Sequence, residues 1–369
     1  MRAFSKVIVI GWLICQLCTQ TYAVSDIQAA QSDAYGVDEL ESALPEEAFD
    51  IWGNVTVRDA AHPRTLLQTF WEKLTGDAQE IVSSAAHNAA VILLMCFLIA
   101  VMNILPMDSG QAKLVSIIGA ASVTLLCIHE AASCVPIGFR VIETLSDFSA
   151  KLLPALCAAA AAGGAVTSAG AKYAFASMTL DLLSSVVLGL LRPCLLFYIA
   201  AVAAGNVLQN EILLSVSGLM KRLLRLFLIS TAVIFTGYLA LTGILNGTVD
   251  KTAAKAAKTT ISAALPVVGK ILSDAAETVV SGAGILRACI GSLGVLCVLA
   301  VCVIPYISLG IHYLVYQLMS GFTSAFSDKR IAALLNGFSD VYAIMLGTAG
   351  TVTFVLFASI VSLMQAVSV

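Results

Sequence analysis

Charge is what this sequence has least of: Asp, Glu, Lys and Arg make up 12% of its 369 residues, against 59% apolar residues. That leaves too few charged side chains to coat a soluble domain of this length, so the solvent for most of the chain is lipid. Cysteine is missing from residues 24–90, which excludes a disulfide framework from the one hydrophilic stretch. No GxxxxGKS/T run occurs, so the chain is not expected to bind and hydrolyse ATP itself. No basic groove with interleaved aromatics occurs either, which excludes nucleic acid as a partner. The paired Cys and His spacing of a metal site is also missing. The eight cysteines from Cys96 to Cys302 fall in apolar segments, where Cys packs as a small hydrophobe. Neither a metal nor a cofactor is expected.

What is present begins with a leader. Arg2 and Lys6 precede an apolar run from Val7 to Leu17, and Thr21-Tyr22-Ala23 supplies small residues at a cleavage position. The pattern predicts a signal peptide over 1–23, too short to span a bilayer, with an uncleaved anchor as the alternative. From Val24 to Ala90 twelve acidic residues stand against three basic ones, whereas 91–369 holds eleven acids and fifteen bases. The chain thus divides into the leader, an acidic extracytoplasmic segment over 24–88, and a membrane domain over 89–369. Acidic flanks suit export, because Lys and Arg are the residues that resist it. The first part of the exported segment reads as disordered and non-catalytic. From Thr65 onward, Leu66, Leu67, Phe70, Trp71 and Leu74 recur at three-and-four spacing, which predicts a juxtamembrane amphipathic helix with Phe70 and Trp71 at headgroup level.

A helix needs about 20 apolar residues to cross a hydrocarbon layer of about 30 Å. Candidate segments are Ala89–Leu105, Lys113–Val135, Leu152–Ala171, Tyr173–Leu191, Pro193–Gln209, Leu223–Leu245, Ile285–Ile304, Pro305–Phe326 and Val341–Met364, giving seven to nine spans. The excess of basic residues expected on the cytoplasmic side is best satisfied by eight crossings, with Tyr173–Gln209 crossing once and broken or re-entrant at Arg192-Pro193. The fold class is all-α: a polytopic transmembrane helical protein with a cleaved signal peptide and a short acidic exported segment.

Three features stand out within the membrane domain. Ala158–Gly170 reads AAAAAGGAVTSAG, a small-residue surface for close helix packing or for lining a narrow permeation path. Over Thr259–Gly284, Ile261, Leu265, Val268, Leu272, Ala275 and Val279 form one apolar face. Lys270, Asp274, Glu277 and Ser281 form one polar stripe. That amphipathic helix either lies on the membrane with its charges in water or turns its stripe toward a partner or a water-filled cavity. Asp181 and Arg192 are the ionisable residues expected inside apolar stretches, where charge is costly and commonly functional, although an Arg at a helix end also snorkels.

Several motif look-alikes fail on a necessary residue. His129-Glu130-Ala131-Ala132-Ser133 begins like the zinc-protease HExxH, but Ser133 replaces the second ligand. Gly337-Phe338-Ser339-Asp340 resembles the GxGD of intramembrane aspartyl proteases with Ser339 at the second Gly. His62, His87, His129 and His312 are scattered and read as surface or packing residues.

The run Leu265-Pro266-Val267-Val268-Gly269-Lys270-Ile271-Leu272-Ser273-Asp274-Ala275-Ala276-Glu277-Thr278-Val279-Val280-Ser281, followed by Gly291-Ser292-Leu293-Gly294-Val295, resembles the stage III sporulation protein AE family of endospore-forming bacteria. The resemblance extends to the leader, the acidic exported segment, the polytopic body and the length. It implies a component of the channel-like, secretion-like apparatus between mother cell and forespore. It further implies residence in the mother-cell membrane surrounding the forespore, beside other stage III sporulation membrane proteins and a separate ATPase. No catalytic residues follow from it. Two functions are therefore carried forward: a non-enzymatic channel subunit using the stripe Lys270, Asp274, Glu277 and Ser281 at a partner or pore interface, and a self-contained secondary transporter using Asp181 and Arg192.

Overall fold

In lipid every backbone amide must find its partner inside the segment, and the α-helix is the local way to achieve that. The computed structural model describes residues 44–53, 63–104, 109–264, 268–326 and 329–365, with Leu40 and Ser42; the side chains of 238–279, and of a few positions near helix ends, lie outside what is described. The leader and most of the acidic exported segment also lie outside the described residues. The described part is helical throughout, joined by turns, and contains no strand. Its helices are α1 (Glu46–Trp52), α2 (Pro63–Ile104), α3 (Ser109–Ala162), α4 (Val166–Val186), α5 (Arg192–Leu208), α6 (Glu211–Ala264), α7 (Val268–Phe326) and α8 (Lys329–Met364). Among the described residues, five helical rods are long and apolar enough to cross a membrane: Gln68–Met102, Leu114–Ala162, Val166–Leu208, Val280–Ala325 and Lys329–Met364. Such rods fit an integral membrane protein.

The segments read from sequence, from which eight crossings are expected, merge into fewer and longer helices where the structure describes them. Ile285–Ile304 and Pro305–Phe326 lie on one unbroken helix with Pro305 inside it, and a continuous helix cannot turn back across a bilayer. Pro136 and Pro154 are likewise contained within the 54 residues of α3. Proline interrupts one hydrogen bond of a long helix, and neighbouring helices hold the axis on course.

At Arg192-Pro193 the rod neither breaks nor re-enters. Val187–Leu191 widens into a π-helical turn and Pro193 occupies the first turn of α5. The wider turn accommodates the proline ring and its missing N–H, so the rod continues to Leu208.

The expected single span Leu152–Ala171 is wrong in the opposite sense. The alanine-glycine run is where α3 stops: Gly164 adopts φ +94°, Ala165 N–H donates to Ala160 O at 3.1 Å, and Gly164 N–H donates to Ala161 O at 3.0 Å. This pair of bonds is the Schellman arrangement, which requires the left-handed residue that glycine supplies. The small side chains do pack, with Ala160, Ala165 and Ala169 buried together against Cys157. Another tight turn joins α5 to α6, where the Asn210 side-chain oxygen accepts from Ile212 N–H at 2.9 Å and caps α6.

The core runs along α7, α8 and α3, with Leu145, Leu152, Leu156, Ile290, Cys297, Val301, Leu335 and Leu356 buried. At its middle, Tyr316, Tyr342 and Phe338 are fully enclosed, with the two tyrosine rings 5.2 Å apart. Short α1 buries Ala48 and Ile51 and packs onto α2, where Trp52 Nε1–H donates to Leu66 O at 2.7 Å. Lys73 also donates to the Asp50 carbonyl. The juxtamembrane amphipathic helix expected from Thr65 is the start of α2. Phe70 is buried against Trp52, their rings 6.0 Å apart, while Trp71 is exposed.

The aspartyl-protease look-alike is a packing position. Gly337 lets α8 approach α5 so closely that a Cβ there would stand 2.5 Å from Val202 Cγ1. Asp340 is paired at 2.5 Å with Lys221 of α6. Gly337→Ala should therefore overpack the α5–α8 contact and destabilise the protein by about 1–3 kcal/mol, read as a lower melting temperature in detergent. Adding Val202→Ala should restore most of the loss, and an unshifted Gly337→Ala would refute the close approach.

Candidate functional site

The site begins with a change in the surface of two neighbouring helices. The α2 surface is mainly polar through Glu80, Ser83, Ser84 and His87, then apolar at Val91, Leu94, Phe97, Leu98 and Val101. On α3, running the other way, exposed Leu114, Ile118, Leu125 and Ile128 give way to His129, Ser133, Arg140, Glu143, Asp147 and Lys151. The two transitions meet at one level, marked by Asn88 Nδ2–H donating to Glu130 Oε2 at 2.8 Å. Glu130 lies about 32 Å along the axis from the start of α3, close to one hydrocarbon thickness of about 30 Å.

At that level α7 brings His312 against α3. His312 Nε2 lies 2.9 Å from Glu130 Oε1 and 3.4 Å from Cys134 Sγ, and its Nδ1 lies 2.7 Å from the Ser308 carbonyl oxygen. The side chains are nearly enclosed, with His312 8% and Glu130 13% exposed. Helix geometry explains the convergence: Glu130 and Cys134 stand one turn apart on one face of α3, and Ser308 stands one turn before His312 on α7. The ring rests on the aromatic layer, 5.4 Å from Tyr342.

Beside the cluster is a cavity of about 490 Å³, lined further by Asp77, Glu80, Ser84 and His129. The arrangement is not a nucleophilic triad. There the acid orients the imidazole through the nitrogen remote from the nucleophile, whereas here Glu130 and Cys134 both address Nε2 and Nδ1 faces a backbone carbonyl. What the three donor atoms share is a common focus. Each lies within 4.8 Å of the others, close enough for one metal ion to touch all three.

The sequence-read candidates are placed elsewhere and are not brought together. Asp181 is exposed on α4. Arg192 follows about three helical turns later on the same rod, half-exposed, pairing with Glu143 at 3.4 Å and lying over the Phe139 ring at 5.4 Å. An exposed pair of this kind contributes about 0–1 kcal/mol. Ser281 is exposed near the start of α7, and the side chains of Lys270, Asp274 and Glu277 lie outside those described. Their backbone belongs to α7, while residues 259–264 close α6. The segment read as one amphipathic helix over 259–284 is thus shared between two helices, with Pro266 between them in the sequence. Its second part continues into the helix that runs through the bundle.

Sequence reading missed the Glu130, Cys134 and His312 cluster. It tested Glu130 only within HExxH, where the position fails at Ser133, and placed His312 among scattered packing residues. The legible signal was Glu130-x-x-x-Cys134, two donors at i and i+4. The third member, His312, comes from a helix 178 residues away from Cys134, and no local spacing announces it.

Comparison with known proteins follows from this architecture. No solved structure matches. The chain is 18% identical over 289 residues to stage III sporulation protein AE of Bacillus subtilis (strain 168), covering 78% of this chain and 72% of that protein. The family model described as stage III sporulation protein AE matches residues 62–367, from the start of α2 to the end of α8. With its whole helical body inside that match, the chain belongs to the stage III sporulation protein AE family.

Proposed function

We propose that the chain is a non-enzymatic membrane subunit of the channel-like or secretion-like apparatus between mother cell and forespore, required for endospore formation. The observation that carries this reading is the family match across the helical body, which makes this a protein of a sporulation family. The finer steps are part of the proposal: the mother-cell membrane around the forespore as its site, other stage III sporulation membrane proteins as neighbours, and a separate ATPase as energy source. They agree with a chain that has no nucleotide-binding loop of its own. The leader over 1–23 and the acidic exported segment would set its orientation.

In this reading the polar stripe Lys270, Asp274, Glu277 and Ser281 meets a partner protein or lines a pore. A helix whose sequence gathers its charges on one face can offer that face for docking. The transporter reading gains no support from the placement of its residues, because Asp181 and Arg192 do not share a site.

Affinity purification of the tagged chain from sporulating cells in mild detergent should recover other stage III membrane proteins and the ATPase. Recovery of the chain alone, under conditions that keep known membrane complexes intact, would refute a subunit role. Charge reversal at both Asp274 and Glu277 should weaken that recovery by about 2 kcal/mol, roughly thirtyfold in affinity, and lower spore yield. Unchanged yield and unchanged recovery in the double reversal would remove the stripe from the interface.

A further inference from the structure

We propose that Glu130, Cys134 and His312 bind one divalent transition-metal ion of the zinc class, with a fourth coordination position open to the adjoining cavity. Ser308 O accepts from His312 Nδ1 at 2.7 Å, which fixes one proton on Nδ1. Nε2 is then the nitrogen that faces a carboxylate oxygen at 2.9 Å and a sulfur at 3.4 Å. Without an ion these contacts share a proton; a bound cation would displace it and take the three lone pairs that converge there.

The spacing of the three atoms also suits a metal. Zinc holds His nitrogen at about 2.0–2.1 Å, carboxylate oxygen at about 2.0–2.2 Å and thiolate at about 2.3 Å, so tetrahedral geometry separates sulfur from nitrogen by about 3.6 Å and nitrogen from oxygen by about 3.4 Å. The corresponding atoms stand at 3.4 Å and 2.9 Å, within reach of small side-chain rotations.

The outer shell suits one as well, because ligands in metal sites are held by hydrogen bonds to their remaining atoms. Glu130 Oε2 accepts from Asn88, and His312 Nδ1 donates to Ser308 O. Both bonds leave the inner atoms, Oε1 and Nε2, turned to the focus.

Charge completes the case. A thiolate, a carboxylate and a neutral imidazole carry two negative charges together, matching a divalent ion and leaving no net charge in an almost enclosed site. One sulfur, one nitrogen and one oxygen ligand favour zinc over the oxygen-seeking Mg²⁺ and Ca²⁺. Neither the family nor the channel role assigns a metal, so this site stands or falls independently of them.

The test uses the full-length protein in mild detergent, freed of metal by chelation and titrated with Co²⁺. The wild type should take up one ion per chain at this site and show a thiolate-to-cobalt charge-transfer band that Zn²⁺ displaces. Cys134→Ser should abolish the band with helix content retained, and Glu130→Gln and His312→Ala should lower occupancy. Should any ligand variant fail to fold, Asn88→Ala decides: it keeps all three ligands and should weaken affinity about 10–100-fold through the lost outer-shell bond. A folded wild type without the band, a band unchanged in Cys134→Ser, or unchanged affinity in Asn88→Ala would each overturn the proposal.

Discussion

The backbone of α7 stays helical through fifty-nine residues, from Val268 to Phe326, with Pro305 inside it, and that continuity sets where the other helices bury their apolar faces. Between Ala283 and Leu309 the large side chains of α7 are buried or half-buried, none exposed, in its packing with α2, α3 and α8. Where this core meets water, each enclosed Val, Leu or Ile contributes about 1.5–3 kcal/mol of hydrophobic stabilisation. Where it meets lipid that drive is missing and close packing decides the contacts instead. Gly337 serves the second regime, admitting Val202 to the backbone of α8.

The same continuity delivers His312 to Glu130. A polar residue on a buried helix face must find a partner, since leaving the group unpaired costs more than forming the contact gains. On α7 the sequence places Ser308 and His312 one turn apart on the face turned to α3, and α3 answers with Glu130 and Cys134 on its facing turn. Below lie Tyr316 and Tyr342, which close the site on the core side. Access is therefore from the cavity at the α2 side, where Asp77 and Glu80 add negative charge at the mouth. An acidic mouth raises the local concentration of cations.

Much of this architecture was legible because its signals are local. Sparse charge and long apolar runs give the all-α membrane class, and the apolar segments named from the sequence fall mainly on helices where the structure describes them, Leu152–Ala171 being divided between α3 and α4 by a turn. The joints were less legible, because a proline or a pair of glycines has no meaning apart from its neighbours. Pro305 sits inside α7 without ending it, whereas Gly163-Gly164 ends α3 through a left-handed residue. Helix α1 escaped notice because seven residues carry too little periodicity to register. His312 was illegible for a different reason: its partners are supplied by tertiary contact, and a lone histidine on an apolar helix reads as packing until the facing helix is known.

Length places a final constraint on how this body meets a bilayer. A helix of fifty-nine residues is about 88 Å long, against about 30 Å of hydrocarbon. Even a tilt of about 40° lengthens the path to only about 39 Å, so more than half of α7 lies outside a single crossing. Along that axis Lys270 is about 63 Å from His312. If the bilayer ends where α2 and α3 change from apolar to polar surface, the stripe stands far beyond it, at the distal end of a rod braced by α8 and α3. Water can solvate charges there without the cost they incur in lipid. The charges of that helix end and the nearly closed cluster of Glu130, Cys134 and His312 are therefore far apart along one helix, the first at its start and the second at the level where the surfaces of α2 and α3 change character.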